Sequence, residues 1–217
     1  MVRAVIFDMD GLIVDTETPE YLSWKEVYEA HGADLPQDFW AQMIGTTQVK
    51  LDLAALLMER TGRALDTEAL RQLRRTRYHE IRKAYMKPLP GFLALTDALI
   101  ARRFPRALAS ASPKGWVDHV LDEVRVRNRF EVIVTGDDVA YGKPAPDCYL
   151  LTAQRLGLPP SECLALEDSL HGLTAAKRAG MRCIAVPNGL TANMDFSTAD
   201  RVVRSLEEVT LDLVEIL

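Results

Sequence analysis

Asp8 and Asp10 stand one residue apart at the end of the apolar run Val5-Ile6-Phe7, and Gly11 follows them. Along an extended chain alternate side chains point the same way, so the two carboxylates share one side while Met9 faces the other. Such a pair can divide labour: one carboxylate attacks phosphorus and the other handles the proton of the leaving group. Gly11 permits a tight turn through which main-chain N–H groups can approach phosphoryl oxygens.

Three more stretches occupy comparable places. Ser110-Ala111-Ser112 follows the run Arg106–Ala109, Gly142-Lys143-Pro144 comes after Val132–Val134, and Glu167-Asp168-Ser169 follows Cys163–Leu166. Ligands of open parallel sheets lie beyond the carboxyl ends of the strands. If these runs are such strands, four acids, a hydroxyl and a lysine meet on one edge. Acids alone would repel one another there, so a divalent cation is expected, and carboxylate oxygens suit Mg²⁺. A lysine, a serine hydroxyl and backbone N–H groups suit a phosphate dianion. Each stretch alone has a plainer reading: a turn, a cap for the Pro113 segment, a solvated lysine, a cap for the helix after Asp168. Their joint occurrence favours a site.

The elements that must position these residues alternate. Expected strands are Ala4–Phe7, Arg106–Ala109, Val132–Val134, Cys163–Leu166, Cys183–Val186 and Arg201–Val203. Between them Phe92–Arg103, Gly115–Glu123, Asp147–Leu156 and Leu170–Ala179 read as helices. Apolar runs of this kind fit strands covered on both faces, and the alternation predicts an α/β fold with a Rossmann-like, doubly wound parallel sheet. Residues 16–87 break the rhythm. Pro19 is placed for a first helical position, Tyr21, Trp24 and Tyr28 form a stripe, Leu51, Ala54, Ala55 and Met58 form another, and Asp66-Thr67-Glu68 opens a third helix. The expected organisation is therefore a core of residues 1–15 and 88–217, with residues 16–87 inserted as a small helical domain.

Composition narrows the class. The 217 residues are 48% hydrophobic and 26% charged, with a net charge of −5. Basic residues are not gathered into tails, which argues against nucleic acid as a partner. No apolar run reaches the roughly 18 residues that span a bilayer, and the N-terminal apolar segment is too short for a signal peptide. Three cysteines without CxxC spacing fit reduced thiols in a cytoplasm and not a structural zinc site. A monomer is expected. Gly136 to Lys143 is not a phosphate-binding loop of the Walker type, because five residues separate its glycines and Pro144 stands where Ser or Thr should be. The basic run Arg71, Arg74, Arg75, Arg77, Arg82 and Lys83 reads as a solvated helix face, or as cations that draw an anionic substrate inward.

Asp8-Met9-Asp10-Gly11, Ser110, Lys143 within Gly-Lys-Pro-Ala-Pro-Asp, and Glu167-Asp168 resemble, in order and spacing, the four motifs of the haloacid dehalogenase superfamily. Phe-Asp-Met-Asp-Gly-Leu-Ile-Val-Asp-Thr-Glu, Ala-Leu-Ala-Ser-Ala-Ser and Glu-Asp-Ser-Leu-His-Gly are similar to its β-phosphoglucomutase-like branch of sugar-phosphate phosphatases. The resemblance implies that Asp8 is the nucleophile, forming an aspartyl-phosphate, and that Asp10 is general acid and then base. It implies Mg²⁺ at Asp8, the Asp10 carbonyl, Asp168 and Glu167, with Ser110, Ala111 and Lys143 on the phosphoryl group. The insert is then a cap, and Glu20, Trp24, Thr47 and Gln48 are its candidates for substrate selection. Relatives that remove halide or cleave phosphonates do without the second Asp, so Asp10 points to phosphate esters; Lys50 does not change this. Mutase relatives carry a His and an Arg where Glu20 and Gln48 stand here, which favours hydrolysis of a small sugar, polyol or nucleoside-type phosphate. A phosphomutase and a phosphate-binding protein without turnover are the alternatives.

Overall fold

The protein was analysed as a computed structural model that describes residues 1–46 and 51–217. Thr47, Gln48 and Lys50 thus lie outside the described residues. Six strands, β1 (Ala4–Phe7), β2 (Arg106–Ala109), β3 (Val132–Val134), β4 (Cys163–Glu167), β5 (Arg182–Ala185) and β6 (Arg201–Val202), form one parallel sheet in the order β3-β2-β1-β4-β5-β6. The chain builds outward from β1 to β3, then returns to the other side of β1 for β4. The order therefore reverses beside β1, where a doubly wound sheet opens its ligand crevice.

Alternation sorts the strand residues into two cores. Val5, Phe7, Leu108, Leu164, Leu166 and Ile184 face one apolar cluster, while Ala4, Ile6, Ala107, Ala109, Ala165 and Cys183 face another. Helices α5 (Phe92–Ala101), α6 (Lys114–Glu123) and α9 (Leu211–Ile216) cover the first face; α7 (Asp147–Leu156) and α8 (Leu170–Arg178) cover the second. With both faces dry, every residue of β1 and β4 is buried.

Residues 16–87 supply helices α1 (Glu17–Ala30), α2 (Gln37–Ala41), α3 (Leu53–Thr61) and α4 (Thr67–Tyr85). They share an apolar cluster that includes Tyr21, Tyr28, Leu35, Trp40, Leu57 and Leu70. Asp52 and Asp66 cap α3 and α4, each accepting from two backbone N–H groups of the first turn.

Two expectations about this region fail. Helix α1 begins at Glu17, so Pro19 sits third rather than first, a place where a missing N–H also costs no intrahelical bond. In α3 the Asp52 cap sets the phase: Leu53, Ala54 and Leu57 are buried, whereas Leu51 precedes the helix and is exposed, as is Ala55. The strand ends shift by one residue at β4, β5 and β6.

Candidate active site

Hydrogen bonds carry the sheet ladder past the ends of the strands. Asp8 N–H donates to the Leu166 carbonyl (3.0 Å), Ser110 N–H to Val134 (3.0 Å) and Val186 N–H to Glu167 (2.6 Å). These bonds tie the first residues beyond β1, β2 and β5 to their neighbouring strands, with Glu167 as the last residue of β4, so the motifs converge because the strands are in register.

Lys143 is the hub. Its ammonium is 2.5 Å from Asp8 Oδ1, 2.6 Å from Glu167 Oε1 and 2.9 Å from the Ala109 carbonyl, and its side chain is 1% exposed. It also lies over the ring of Tyr149, 4.9 Å from the centroid. Tyr149 in turn donates its hydroxyl to Glu167 Oε1 (2.5 Å). Burial would lower the Lys143 pKa, but Asp8 and Glu167 outweigh it and hold the ammonium charged. Burial also raises the Tyr149 phenol, keeping it a neutral donor.

Asp8, Glu167 and Asp168 form a buried group whose oxygens lie within 4.8 Å of one another. Three carboxyls face one ammonium, so full ionisation would leave the cluster two charges negative. Burial, only partly offset by Lys143, raises the Asp8 carboxyl from 3.8 to about 8. Asp168 is raised by burial, then by Asp8 and Glu167. Its Oδ2 accepts from Asn188 Nδ2 (2.8 Å), while its Oδ1 is buried without a hydrogen-bond partner. An orphaned buried oxygen in an excess of negative charge fits a divalent cation, and hard oxygen donors suit Mg²⁺ as the sequence reading expects.

Gly11 adopts φ +82°, and a Cβ there would fall 2.0 Å from Asp168 Oδ2. Its own N–H donates to the Val14 carbonyl (2.8 Å) and closes the turn. Glycine is needed for the turn and for the approach of Asp168.

Asp10 belongs to a separate set. Its Oδ1 accepts from Thr16 Oγ1 (2.7 Å) and Trp116 Nε1 (2.9 Å), and its Oδ2 from Ser112 Oγ (2.7 Å), with Ser110 Oγ farther off at 3.4 Å. The carboxylate of Asp10 thus belongs to a set of donors apart from the buried acids, and the expected cation ligand of this residue is its main-chain carbonyl. Ser110 accepts from Ser112 N–H (3.0 Å) and does not cap α6, whose N-cap residue is Pro113.

Asp8, Asp10, Ser110, Ala111 and Ser112 line a cavity of ≈ 60 Å³ whose opposite wall is Glu17, Gly45 and Thr46. Burial, then Asp10 and Asp15, push the Glu17 carboxyl up to about 8. Glu20 and Trp24, farther along α1, are not in this wall. Glu20 pairs with Arg74, whose guanidinium lies 6.0 Å from the Trp24 ring. Arginines of the basic run on α4 are matched by acids outside the helix, Arg71 by Asp52, Arg77 by Glu26 and Arg82 by Glu123, and by acids within it, Arg75 by Glu68 and Arg77 also by Glu80. That pairing weakens the idea of cations free to draw in substrate.

The sequence reading missed Thr16, Ser112 and Trp116 around Asp10, Tyr149 and Asn188 around the acids, and Glu17 across the cavity. Thr16 and Glu17 stand at the start of the expected helical insert and Ser112 sits inside a motif, so proximity was a usable signal for those three. No local pattern marks the others.

A parallel sheet that gathers acids, a lysine and a serine at its switch point, under a helical layer, is the arrangement that the haloacid dehalogenase resemblance implies. The family model for haloacid dehalogenase-like hydrolases matches residues 2–180, and the chain belongs to that family. Over 99% of its length it is 44% identical to the protein YhcW of Bacillus subtilis (strain 168), covering 96% of that protein. It is 32% identical to the fructose-1-phosphate phosphatase YqaB of Escherichia coli (strain K12), over 84% of this chain and 95% of the relative. To the β-phosphoglucomutase of Bacillus subtilis (strain 168) it is 31% identical over 98% and 93%.

Proposed function

We propose that the protein is a Mg²⁺-dependent phosphatase acting on a small phosphorylated metabolite, a sugar phosphate foremost, with residues 16–87 as a cap over the crevice. The carrying observation is the division of the two aspartates. Asp8 lies against Lys143 among the buried acids, whereas Asp10 is held apart by Thr16, Ser112 and Trp116. That division supports a reading in which one carboxylate bonds phosphorus and the other moves a proton.

In this reading an Asp8 oxygen attacks phosphorus as the ester P–O bond breaks, and Asp10 gives its proton to the departing oxygen. Asp10 then takes a proton from the water that cleaves the Asp8–phosphorus bond, releasing phosphate. Ser110 and Ala111 bind the transferring group, and Lys143 stabilises its charge. Asp8, Glu167 and Asp168, with the Asp10 carbonyl, would hold Mg²⁺, which neutralises negative charge at the transferring oxygens.

Hydrolysis is preferred to mutase chemistry because Glu20, paired with Arg74, adds a negative charge where mutase relatives carry a His. Phosphate release from sugar phosphates should require Mg²⁺ and vanish in Asp8→Asn. β-Glucose 1-phosphate with a trace of the bisphosphate should give free phosphate. Sustained glucose 6-phosphate would establish the mutase, and magnesium binding without turnover on any ester would leave a phosphate-binding protein.

A further inference from the structure

Trp116 is the unexpected neighbour of Asp10. Thr16 and Ser112 hold the same carboxylate through hydroxyls, which rotate freely and both donate and accept. An indole N–H only donates, and its direction is fixed by the ring. Trp116 Nε1 points at Oδ1 (2.9 Å), so Oδ1 stays an acceptor whether or not Asp10 carries a proton. The proton of neutral Asp10 then belongs on Oδ2, the oxygen beside Ser112 (2.7 Å) and Ser110 (3.4 Å), two residues of the cavity wall.

The indole is itself fastened from the helical layer. Arg82 of α4 places its guanidinium 6.0 Å from the Trp116 ring centroid and 5.9 Å from that of Tyr78. Its side chain is 14% exposed, and it is anchored on α6 by Glu123 (2.5 Å) and His119 (3.0 Å), whose ring also lies 5.8 Å from that of Trp116. A cation over an aromatic face is held in place at little cost to its charge. The contact spans from α4 to α6 and bears directly on the ring that orients Asp10.

We propose that Trp116 is a positioning residue for proton transfer by Asp10, and that Arg82 fixes the indole from the cap side. This rests on the acid–base role given to Asp10 above. It predicts a dependence on the leaving group. Nitrophenolate leaves without a proton, whereas the more basic phenolate draws on the acid.

The test compares kcat/KM for p-nitrophenyl phosphate and phenyl phosphate in Mg²⁺, because this ratio reports only steps through transfer to Asp8. Trp116→Phe keeps the packing and removes the donor. It should lose about tenfold on phenyl phosphate and stay within about twofold on p-nitrophenyl phosphate. Arg82→Met should lose about threefold in the same pattern. Equal losses on both esters, or none, would overturn the proposal. Asp10→Asn separates the two levels of argument: if it is no more sensitive to leaving group than wild type, the acid assignment itself falls. Wild-type protein that cleaves neither ester would remove the phosphatase reading and this inference together. Should Trp116→Phe not fold, nitrogen–proton NMR reads the contact directly. Among the indole signals of Trp24, Trp40 and Trp116, one should move upfield in Asp10→Asn, and three unmoved signals would refute the hydrogen bond.

Discussion

Replacing Lys143 by Met tests the electrostatics of the site without any substrate. The variant removes the ammonium that touches both Asp8 and Glu167 and leaves three buried carboxyls without that counter-ion. Breaking a buried ion pair on one side costs about 3–5 kcal/mol. In a chain of this size each kcal/mol is about 2–4 °C of melting temperature, so the loss in chelator should be roughly 6–20 °C. The penalty must depend on pH. The Asp8 carboxyl is raised from 3.8 to about 8, chiefly by burial and against the pull of Lys143. A raised acid favours the folded state while protonated; that contribution is complete below about pH 4 and is lost as pH climbs to about 8. Without Lys143 the pull is gone and the carboxyls rise further, and Asp168 acts in the same direction. Both folded proteins keep the Asp8 proton up to about pH 8 and only wild type releases it there, so the gap between them should be steady from pH 5 to about 7 and widen above about pH 8. Thermal melts by circular dichroism at pH 6.5, 8 and 9.5 measure it. A gap that shrinks as pH rises through 8, or melting points within about 2 °C at pH 9.5, would refute the assignment of Lys143 as counter-ion to the buried acids.

Protons and a divalent cation compete for the same oxygens, so the melting shift given by Mg²⁺ should grow from pH 5.5 to pH 8; a shift independent of pH would argue for binding elsewhere. Gly172→Ala places a Cβ 2.0 Å from both Glu167 carboxylate oxygens. Calorimetric Mg²⁺ titration should show affinity and phosphate release falling about 10–100-fold, whereas Gly115→Ala, with open space around it, should leave both unchanged.

What the sequence made legible is what local pattern encodes. Strands β1 to β4 were readable as apolar runs because both faces of the sheet are covered, and the acids at their ends were readable because polar residues stop such runs for a reason. The helical interval was readable from its stripes, but the phase of α3 was not, since the Asp52 cap, not the apolar count, sets where the helix begins. Trp116 looked like any amphipathic-helix residue, and its partner lies 106 positions away. The basic run of α4 looked unpaired because its acids, Glu20, Glu26, Asp52 and Glu123, come from other elements. Pairings of this kind are decided by how helices pack, which spacing along one chain does not encode.

The contrast between Asp8 and Asp10 explains why two like residues so near in sequence can do different work. Both sit where β1 runs out, and both line the same small cavity. Asp8 is answered by a cation and surrounded by other acids, an environment that holds charge near the atom to be attacked and rewards a divalent ion. Asp10 is answered by two hydroxyls and an indole N–H, neutral donors that orient a carboxylate without binding its charge to a counter-ion. The Thr16 and Ser112 hydroxyls can turn from donor to acceptor, so a proton on Asp10 would find a partner without the carboxylate moving. The one-residue spacer between them, Met9, is buried in the core of the sheet, and that anchoring keeps the two environments apart.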